Sequence, residues 1–308
     1  MSSKFKLVVL ALSLVLGCAL VLLALSVREG SMQTSERAAS VEYGEFIIRN
    51  TAQVLGSGQS DPALQYSGTN MACASCHLES GQLPGTLSLL QAAAKYPSFS
   101  GREGRDRDLE DRINGCMQRS MNGLPIPREG VEMQSMVSYI THLGQRYQAM
   151  SKEARELQEP PSFVEPQRKA SVENGALVYE QRCQTCHGDN GQGLLATQDA
   201  SLGYTFPPLW GPDSYNNGAG MTRVLTAARF IKARMPLGQP DLSDDEAYDV
   251  AAYINSHERP IKANLEADYP DKSRKPIDSP YPPYADPFSQ EQHRLGPFAP
   301  IREYYQNR

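Results

Sequence analysis

The sequence has no excess of basic residues. Its 30 lysines and arginines are outnumbered by 35 aspartates and glutamates, which gives a formal net charge of −5 at pH 7. Because the two signs are interspersed along the chain, no basic face is available for a phosphate backbone, and we expect no nucleic-acid partner. Histidine is scarce as well, with five in 308 residues, and only His77 and His187 follow cysteine motifs.

A run of uncharged, apolar residues from Leu7 to Val27 follows Lys4 and Lys6 near the N-terminus. The run is long enough to span a bilayer as a helix, and the preceding lysines favour a cytoplasmic N-terminus. We therefore expect residues 1–30 to be a membrane anchor, with a cleaved signal peptide or a lipoprotein signal at Cys18 as alternatives. Each alternative places the rest of the chain on the periplasmic side of the cytoplasmic membrane.

Cysteine is limited to six residues, and four of them form two Cys-x-x-Cys-His motifs. The motif residues are Cys73, Cys76 and His77 in the first half, and Cys183, Cys186 and His187 in the second. In a covalent haem c site, the two thiols form thioethers with the haem vinyl groups and the histidine is the proximal iron ligand. Zinc is the main alternative, since two cysteines and a histidine leave one ligand to find. Two complete motifs in one exported chain favour two covalently bound haem c groups.

The second motif has the surroundings of a small helical cytochrome c. Residues 173–182 are predicted to form a helix that leads into the motif, and Gly175 would allow a second helix to approach closely. That second helix is predicted to begin at Ser243, which forms a capping-box sequence with Glu246. Between the two helices, Met235 lies on a loop from which its thioether could ligate iron opposite His187. A core-filling role for Met235 is the alternative.

The first half of the chain repeats this unit. Gly44 matches Gly175, and residues 136–140 (Met-Val-Ser-Tyr-Ile) match residues 250–254 (Val-Ala-Ala-Tyr-Ile). An internal repeat of this kind predicts an all-α fold with two class I cytochrome c-like domains joined by a linker. The expected segments are an N-terminal membrane helix (1–30), a first cytochrome c domain (31–151), a linker (152–169), a second cytochrome c domain (170–259) and a proline-rich C-terminal extension (260–308).

The repeat also nominates a distal ligand for the first haem. Met235 precedes Tyr253 by 18 residues, and the residue 18 positions before Tyr139 is Met121. The unpaired Cys116 lies five residues before Met121, and nearby arginines would favour its thiolate, which is also a good iron ligand. Residue spacing alone does not decide between the two sulfurs. The same arginines could instead form a solvated loop that pairs with neighbouring carboxylates.

Four stretches carry a resemblance to a known family. They are Cys73–His77, the block Leu109–Gly123 around Cys116, the Ala233–Pro236 loop and the C-terminal tail. Through them the chain resembles the dihaem cytochrome c thiosulfate dehydrogenases, from about Val41 to Ile301.

The resemblance implies that Cys116 is the distal ligand of a catalytic first haem, and that Arg102, Arg112 and Ser120 form the substrate site. Two thiosulfate dianions repel each other, and guanidinium groups provide the bidentate cationic partners that such anions need. A thiolate that forms a transient sulfur–sulfur bond with substrate is a route to tetrathionate. The implied activity is oxidation of two thiosulfates to tetrathionate, with electrons leaving through a His187/Met235 haem to an external cytochrome or other redox protein.

Two other functions stay open: the reverse reaction, as a tetrathionate reductase, and a membrane-tethered dihaem electron shuttle with Met121 as ligand. One position departs from some relatives, which have a lysine just before the methionine ligand of the second haem. Here that residue is Arg234, whose guanidinium does not deprotonate in proteins. We therefore expect simple ligation by His187 and Met235.

Overall fold

A computed structural model describes residues 38–156 and 162–307 of the chain. Residues Ser40–Arg308 cluster as one compact unit. The membrane helix predicted for residues 1–30 lies outside the described residues, as does Cys18. Across the described ranges, no helix combines the length and the apolar character that crossing a bilayer requires.

The first half of the described chain is mostly helical. Its helices and strands are α1 (Val41–Arg49), α2 (Thr51–Leu55), β1 (Ser98–Ser100), β2 (Arg105–Arg107), α3 (Leu109–Met117), α4 (Val131–Ala149) and α5 (Lys152–Glu156). Strands β1 and β2 pair antiparallel, with Phe99 opposite Asp106. This hairpin is a small exception to the all-α fold expected from the sequence, and it lies directly before α3.

The second half has the same arrangement with a longer helix before the loop that carries Met235. Its elements are α6 (Val172–Arg182), α7 (Gln184–His187), β3 (Leu194–Leu195), β4 (Tyr204–Phe206), α8 (Val224–Arg234), α9 (Asp244–Ser256), α10 (Gln290–Leu295) and α11 (Ala299–Gln306). Ser243 caps α9, and the capping box with Glu246 predicted from the sequence is confirmed. Strands β3 and β4 form a second short antiparallel hairpin.

One glycine in each half allows two helices to cross closely. A Cβ atom on Gly44 of α1 would lie 2.7 Å from the Tyr139 Cβ atom on α4. A Cβ atom on Gly175 of α6 would lie 2.8 Å from the Tyr253 Cβ atom on α9. Real Cβ atoms do not approach a neighbour this closely, so only glycine fits either crossing. The two crossings are equivalent in the internal repeat, which confirms the close helix approach predicted at Gly175.

The C-terminal extension packs on the second domain and also contacts the first. Phe298 and Ile301 are buried in the second hydrophobic core. Asp278 is fully buried and accepts a hydrogen bond of 2.7 Å from Arg223 Nε. Earlier in the extension, the amide of Tyr269 donates a 2.8 Å hydrogen bond to the Arg102 carbonyl in the turn between β1 and β2. The extension therefore contacts both halves of the chain.

Candidate functional site

The first Cys-x-x-Cys-His motif is held so that one nitrogen of its histidine stays available. Cys73 begins a short 3₁₀ turn after α2, and its amide donates to the Thr51 hydroxyl at 3.0 Å. Nδ1 of His77 lies 2.7 Å from the Leu87 carbonyl oxygen. A carbonyl can only accept, so Nδ1 carries the proton and Nε2 is left as the ligating atom.

The second motif repeats this arrangement. Nδ1 of His187 lies 2.8 Å from the Pro207 carbonyl oxygen, which again leaves Nε2 free to ligate. Cys183, Cys186, His187 and Met235 all line one cavity, whose remaining walls are largely apolar. Two thiols, an imidazole and a thioether around an apolar cavity are the donor set of a His/Met haem c. The residues therefore fit this cofactor, and Met235 lines the same cavity as His187.

The same cavity is also walled by the first domain. Ala72, Ser75 and Cys76 of the first motif line it, together with Arg49 from α1. Tyr215 lines it from the second half and is 7% exposed. Residues of both haem-binding motifs thus line one cavity, an arrangement that suits electron transfer between them.

Cys116 lies on α3, one helical turn from Arg112. Arg112 Nη1 donates a 2.9 Å hydrogen bond to Cys116 Sγ. Burial by itself would raise the pKa of Cys116, but the nearby Arg112, His77 and Arg107 outweigh it and lower this pKa to about 6. Cys116 also contributes to the raised pKa of Cys73, which is set chiefly by burial. The unpaired thiol of Cys116 therefore lies close to the first Cys-x-x-Cys-His motif.

Met121 is placed differently. It is 3% exposed and belongs to the hydrophobic core of the first domain. Its amide donates to the Cys116 carbonyl at 3.0 Å, in the turn that follows α3. Ser120 lies in the same turn and is half-buried, with its amide donating to the same carbonyl at 2.7 Å.

The arginines around Cys116 divide into two groups. Arg105 and Arg107 pair with carboxylates of their own stretch, Arg105 with Asp111 at 2.8 Å and Arg107 with Glu103 at 3.5 Å. The solvated-loop alternative therefore describes Arg105, whose side chain is exposed, but not Arg107, which is largely buried and also acts to lower the pKa of Cys116. Neither Arg102 nor Arg112 has such an ion pair among the described residues of that stretch.

Arg112 instead faces the Cys116 thiol, and Arg102 lies close enough for its charge to act on Arg112. The pKa of Arg112 is raised chiefly by Cys116, while burial and the charge of Arg102 act against this increase. Arg102 donates through Nε to the Tyr269 hydroxyl at 3.3 Å and through Nη1 to the Gly218 carbonyl at 3.1 Å. The structure thus brings together Cys116, Arg102 and Arg112, with the turn of Ser120 beside them.

Several residues at this site were not predicted from the sequence. Arg119 is 9% exposed and forms a 2.6 Å ion pair with Asp268 of the C-terminal extension. Lys262 is also close, since Arg119 and Arg102 both act to lower its pKa, after burial as the main cause. Nothing in the local sequence around residues 260–285 signals contact with a site more than 140 residues earlier.

Comparison with known proteins agrees with this architecture. Residues 65–148 match the SoxA/TsdA cytochrome c domain family, and residues 170–254 match the family of cbb3-type cytochrome c oxidase subunit III. Each matched segment is a cytochrome c domain, so the chain carries two covalently bound haem c groups. The two domains of the internal repeat belong to different families.

Similar proteins were found over most of the chain. The thiosulfate dehydrogenase of Stutzerimonas stutzeri (strain A1501) is 38% identical over 226 residues, covering 72% of this chain and 70% of that protein. The thiosulfate dehydrogenase of Allochromatium vinosum is 37% identical over 223 residues, covering 71% of this chain and 80% of that protein.

A solved structure, the thiosulfate dehydrogenase TsdBA of Marichromatium purpuratum in its as-isolated form, aligns with a TM-score of 0.63 at 35% identity. The alignment covers 73% of this chain and 47% of that one, so the present chain spans about half the length of that protein. Two cytochrome c domains, the arginine–cysteine helix within the first of them and these similarities lead to one assignment. The chain belongs to the thiosulfate dehydrogenase family.

Proposed function

We propose that this protein oxidises thiosulfate to tetrathionate. In the overall reaction, two thiosulfate dianions lose one electron each and join through a new sulfur–sulfur bond, and the two electrons pass to an external acceptor. The observation that carries the proposal is the hydrogen bond from Arg112 to Cys116 beside the first Cys-x-x-Cys-His motif. The charge of Arg102 acts on Arg112, so Arg102 supplies a second cation nearby.

The chemistry divides among the residues of this pocket. Arg102 and Arg112 bind and orient the anions and offset the repulsion between them. The Cys116 thiolate and one thiosulfate form a sulfur–sulfur bond, which releases two electrons. The second thiosulfate then attacks the thiosulfate sulfur that is bonded to Cys116. Tetrathionate forms, the bond to Cys116 breaks, and the thiolate is restored. The two haem c groups, when bound, would each accept one of the two electrons.

Cys116 is the proposed distal ligand at the first motif, in preference to Met121. Support comes from the proximity of Cys116 to His77 and Cys73, and from the burial of Met121 in the hydrophobic core. At the second motif, His187 and Met235 are the proposed ligands, because both line one cavity. Arg234 replaces the lysine of some relatives, and its guanidinium is a poor iron ligand.

The proposed location is the periplasmic side of the cytoplasmic membrane, with residues 1–30 as an anchor. Support comes from the apolar run after Lys4 and Lys6, and from the two Cys-x-x-Cys-His motifs, since haem c is attached outside the cytoplasm. The proposed acceptor is a cytochrome or another redox protein.

Thiosulfate added to the oxidised protein should convert it to the ferrous spectrum and produce tetrathionate. A simple electron shuttle would stay oxidised, and a tetrathionate reductase would turn over faster with tetrathionate and a reductant. Cys116→Ala should abolish turnover while both haems remain attached. Met121→Leu is the matched control and should retain activity; the opposite pattern would reassign the ligand to Met121.

A further inference from the structure

The C-terminal extension contributes a carboxylate to the arginine site. We propose that Asp268 is a positioning residue, which holds Arg102 and Arg119 in place and sets the net charge that substrate meets. This inference rests on the proposed function for its substrate class. Its physical basis is a set of contacts between the extension and the first domain.

Both carboxylate oxygens of Asp268 are engaged. The residue is 7% exposed, and its Oδ1 atom accepts a 2.6 Å hydrogen bond from Arg119 Nη2. The Oδ2 atom accepts a 2.7 Å hydrogen bond from the Tyr281 hydroxyl and lies 4.0 Å from Arg102 Nε. A buried carboxylate with a partner on each oxygen is fixed in orientation, and so are the groups that it binds.

Arg102 is held from two directions. The neighbouring Tyr269 donates its amide to the Arg102 carbonyl and accepts from Arg102 Nε, while the Gly218 carbonyl accepts from Nη1. Among the described residues, Nη2 of Arg102 has no hydrogen-bond partner. One edge of the guanidinium is thus fixed by the protein, and the remaining nitrogen is available to an anion.

The backbone at Tyr269 is strained in the conformation that makes these contacts. Its φ is 57°, in the left-handed region that an aromatic residue rarely adopts. Such a conformation persists only where the surrounding contacts hold it, and strained residues of this kind cluster at functional sites. Tyr269 is buried in this conformation, with its amide and its hydroxyl both bonded to Arg102.

Asp268 also offsets the positive charges of Arg119 and Arg102 to different extents. Its shortest contact is with Arg119, so the charge of Arg119 is largely offset. Arg102 lies farther from the carboxylate and retains more of its charge for substrate. Removal of the carboxylate would add one positive charge to the site and loosen both guanidinium groups. Anions would then bind more tightly but in a poorer geometry for sulfur–sulfur bond formation.

The test compares haem-loaded wild type, Asp268→Asn and Asp268→Glu. For Asp268→Asn we expect kcat per dihaem protein to fall by about tenfold or more. We expect the Kd of the oxidised protein for sulfate, measured by calorimetry at low ionic strength, to fall by about three- to tenfold. Asp268→Glu restores the charge and should return the sulfate Kd to the wild-type value, with partial recovery of kcat.

Asp278→Asn is the matched control, because Asp278 is also a buried carboxylate of the extension that pairs with an arginine. It should leave both kcat and the sulfate Kd at wild-type values. A lower kcat with an unchanged sulfate Kd in Asp268→Asn would mean a structural role only and would overturn the proposal. So would wild-type values of both quantities.

Sulfate binding is measured without turnover, so it reports on Asp268 even if wild type fails to oxidise thiosulfate, which would defeat only the proposed function. If Asp268→Asn does not accumulate as dihaem protein, Tyr281→Phe takes its place, since it removes only the hydroxyl that holds Asp268. A several-fold lower kcat at an unchanged urea midpoint would support positioning, and a wild-type kcat would refute it.

Discussion

Arg112 donates a 2.9 Å hydrogen bond to the Cys116 thiol from one helical turn away on α3. Residues four apart on a helix lie on the same face, so the helix itself presents the guanidinium to the sulfur. The pairing favours the thiolate, which is both the proposed nucleophile and the proposed iron ligand. A single nine-residue helix therefore brings the Cys116 sulfur and the Arg112 guanidinium together.

Replacing Arg112 by Gln should lower kcat/KM for thiosulfate by about 10- to 100-fold, because a hydrogen bond to a charged group contributes about 1.5–3 kcal/mol. Arg112→Lys should recover part of the loss, since it keeps the charge but not the bidentate geometry. Steady-state tetrathionate formation per haem is the measurement. Arg105→Gln is the control, because Arg105 pairs with Asp111, and it should change kcat/KM less than twofold.

Gly44→Ala should destabilise the first domain. The new Cβ atom would lie 2.7 Å from the Tyr139 Cβ atom, and overpacking of this kind costs about 1–3 kcal/mol or more. The urea midpoint should fall accordingly. Gly144→Ala on α4 is the control, because its Cβ atom would meet only the Ala93 Cβ atom, at an ordinary 3.4 Å. That variant should be stabilised by about 0.5–1 kcal/mol; equal midpoints for the two variants would contradict the close crossing.

Features set by local chemistry could be predicted from the sequence. The two motifs, the Ser243–Glu246 capping box and the glycine crossing at Gly175 each depend on residues within a few turns or on one repeated spacing. The β1–β2 hairpin could not be predicted, because Arg105–Arg107 alternates charged residues with no apolar face to mark a strand.

The contacts that complete the arginine site depend on tertiary structure. Asp268 meets Arg119 across 149 residues of chain, and its neighbouring sequence has no pattern that differs from an ordinary polar loop. The choice between Cys116 and Met121 has the same origin. Equal spacing in two repeats identifies equivalent backbone positions, but it does not show which side chain enters the core and which faces His77.

Asp108→Ala should loosen the start of α3. The Asp108 side chain caps this helix by accepting from the Asp111 amide at 2.9 Å, and loss of such a cap costs about 1 kcal/mol. A hydrogen bond from Arg128 lowers the pKa of Asp108 below its usual 3.8. A carboxylate of lowered pKa stabilises the fold fully above its unfolded pKa, and this contribution is lost as the pH falls through the lower folded value.

The urea midpoints of Asp108→Ala and wild type should therefore differ, and the difference should be the same at every pH well above 3.8. The difference should shrink as the pH falls below 3.8 and through the lower folded pKa, because the unfolded state takes up a proton before the folded state does. A difference that stays constant down to the lowest pH at which the protein folds would show that the charge of Asp108 contributes nothing.

Met235→Leu should remove the thioether from the second haem while nearly conserving side-chain volume, a change that cores tolerate. A methionine ligand raises the haem potential, so thiosulfate should then reduce only about half of the total haem in Met235→Leu. The absorbance change per protein on thiosulfate addition measures this. Met221→Leu is the matched control, because Met221 lines the same cavity, and it should give full reduction. Half reduction in Met221→Leu, with full reduction in Met235→Leu, would instead identify Met221 as the ligand.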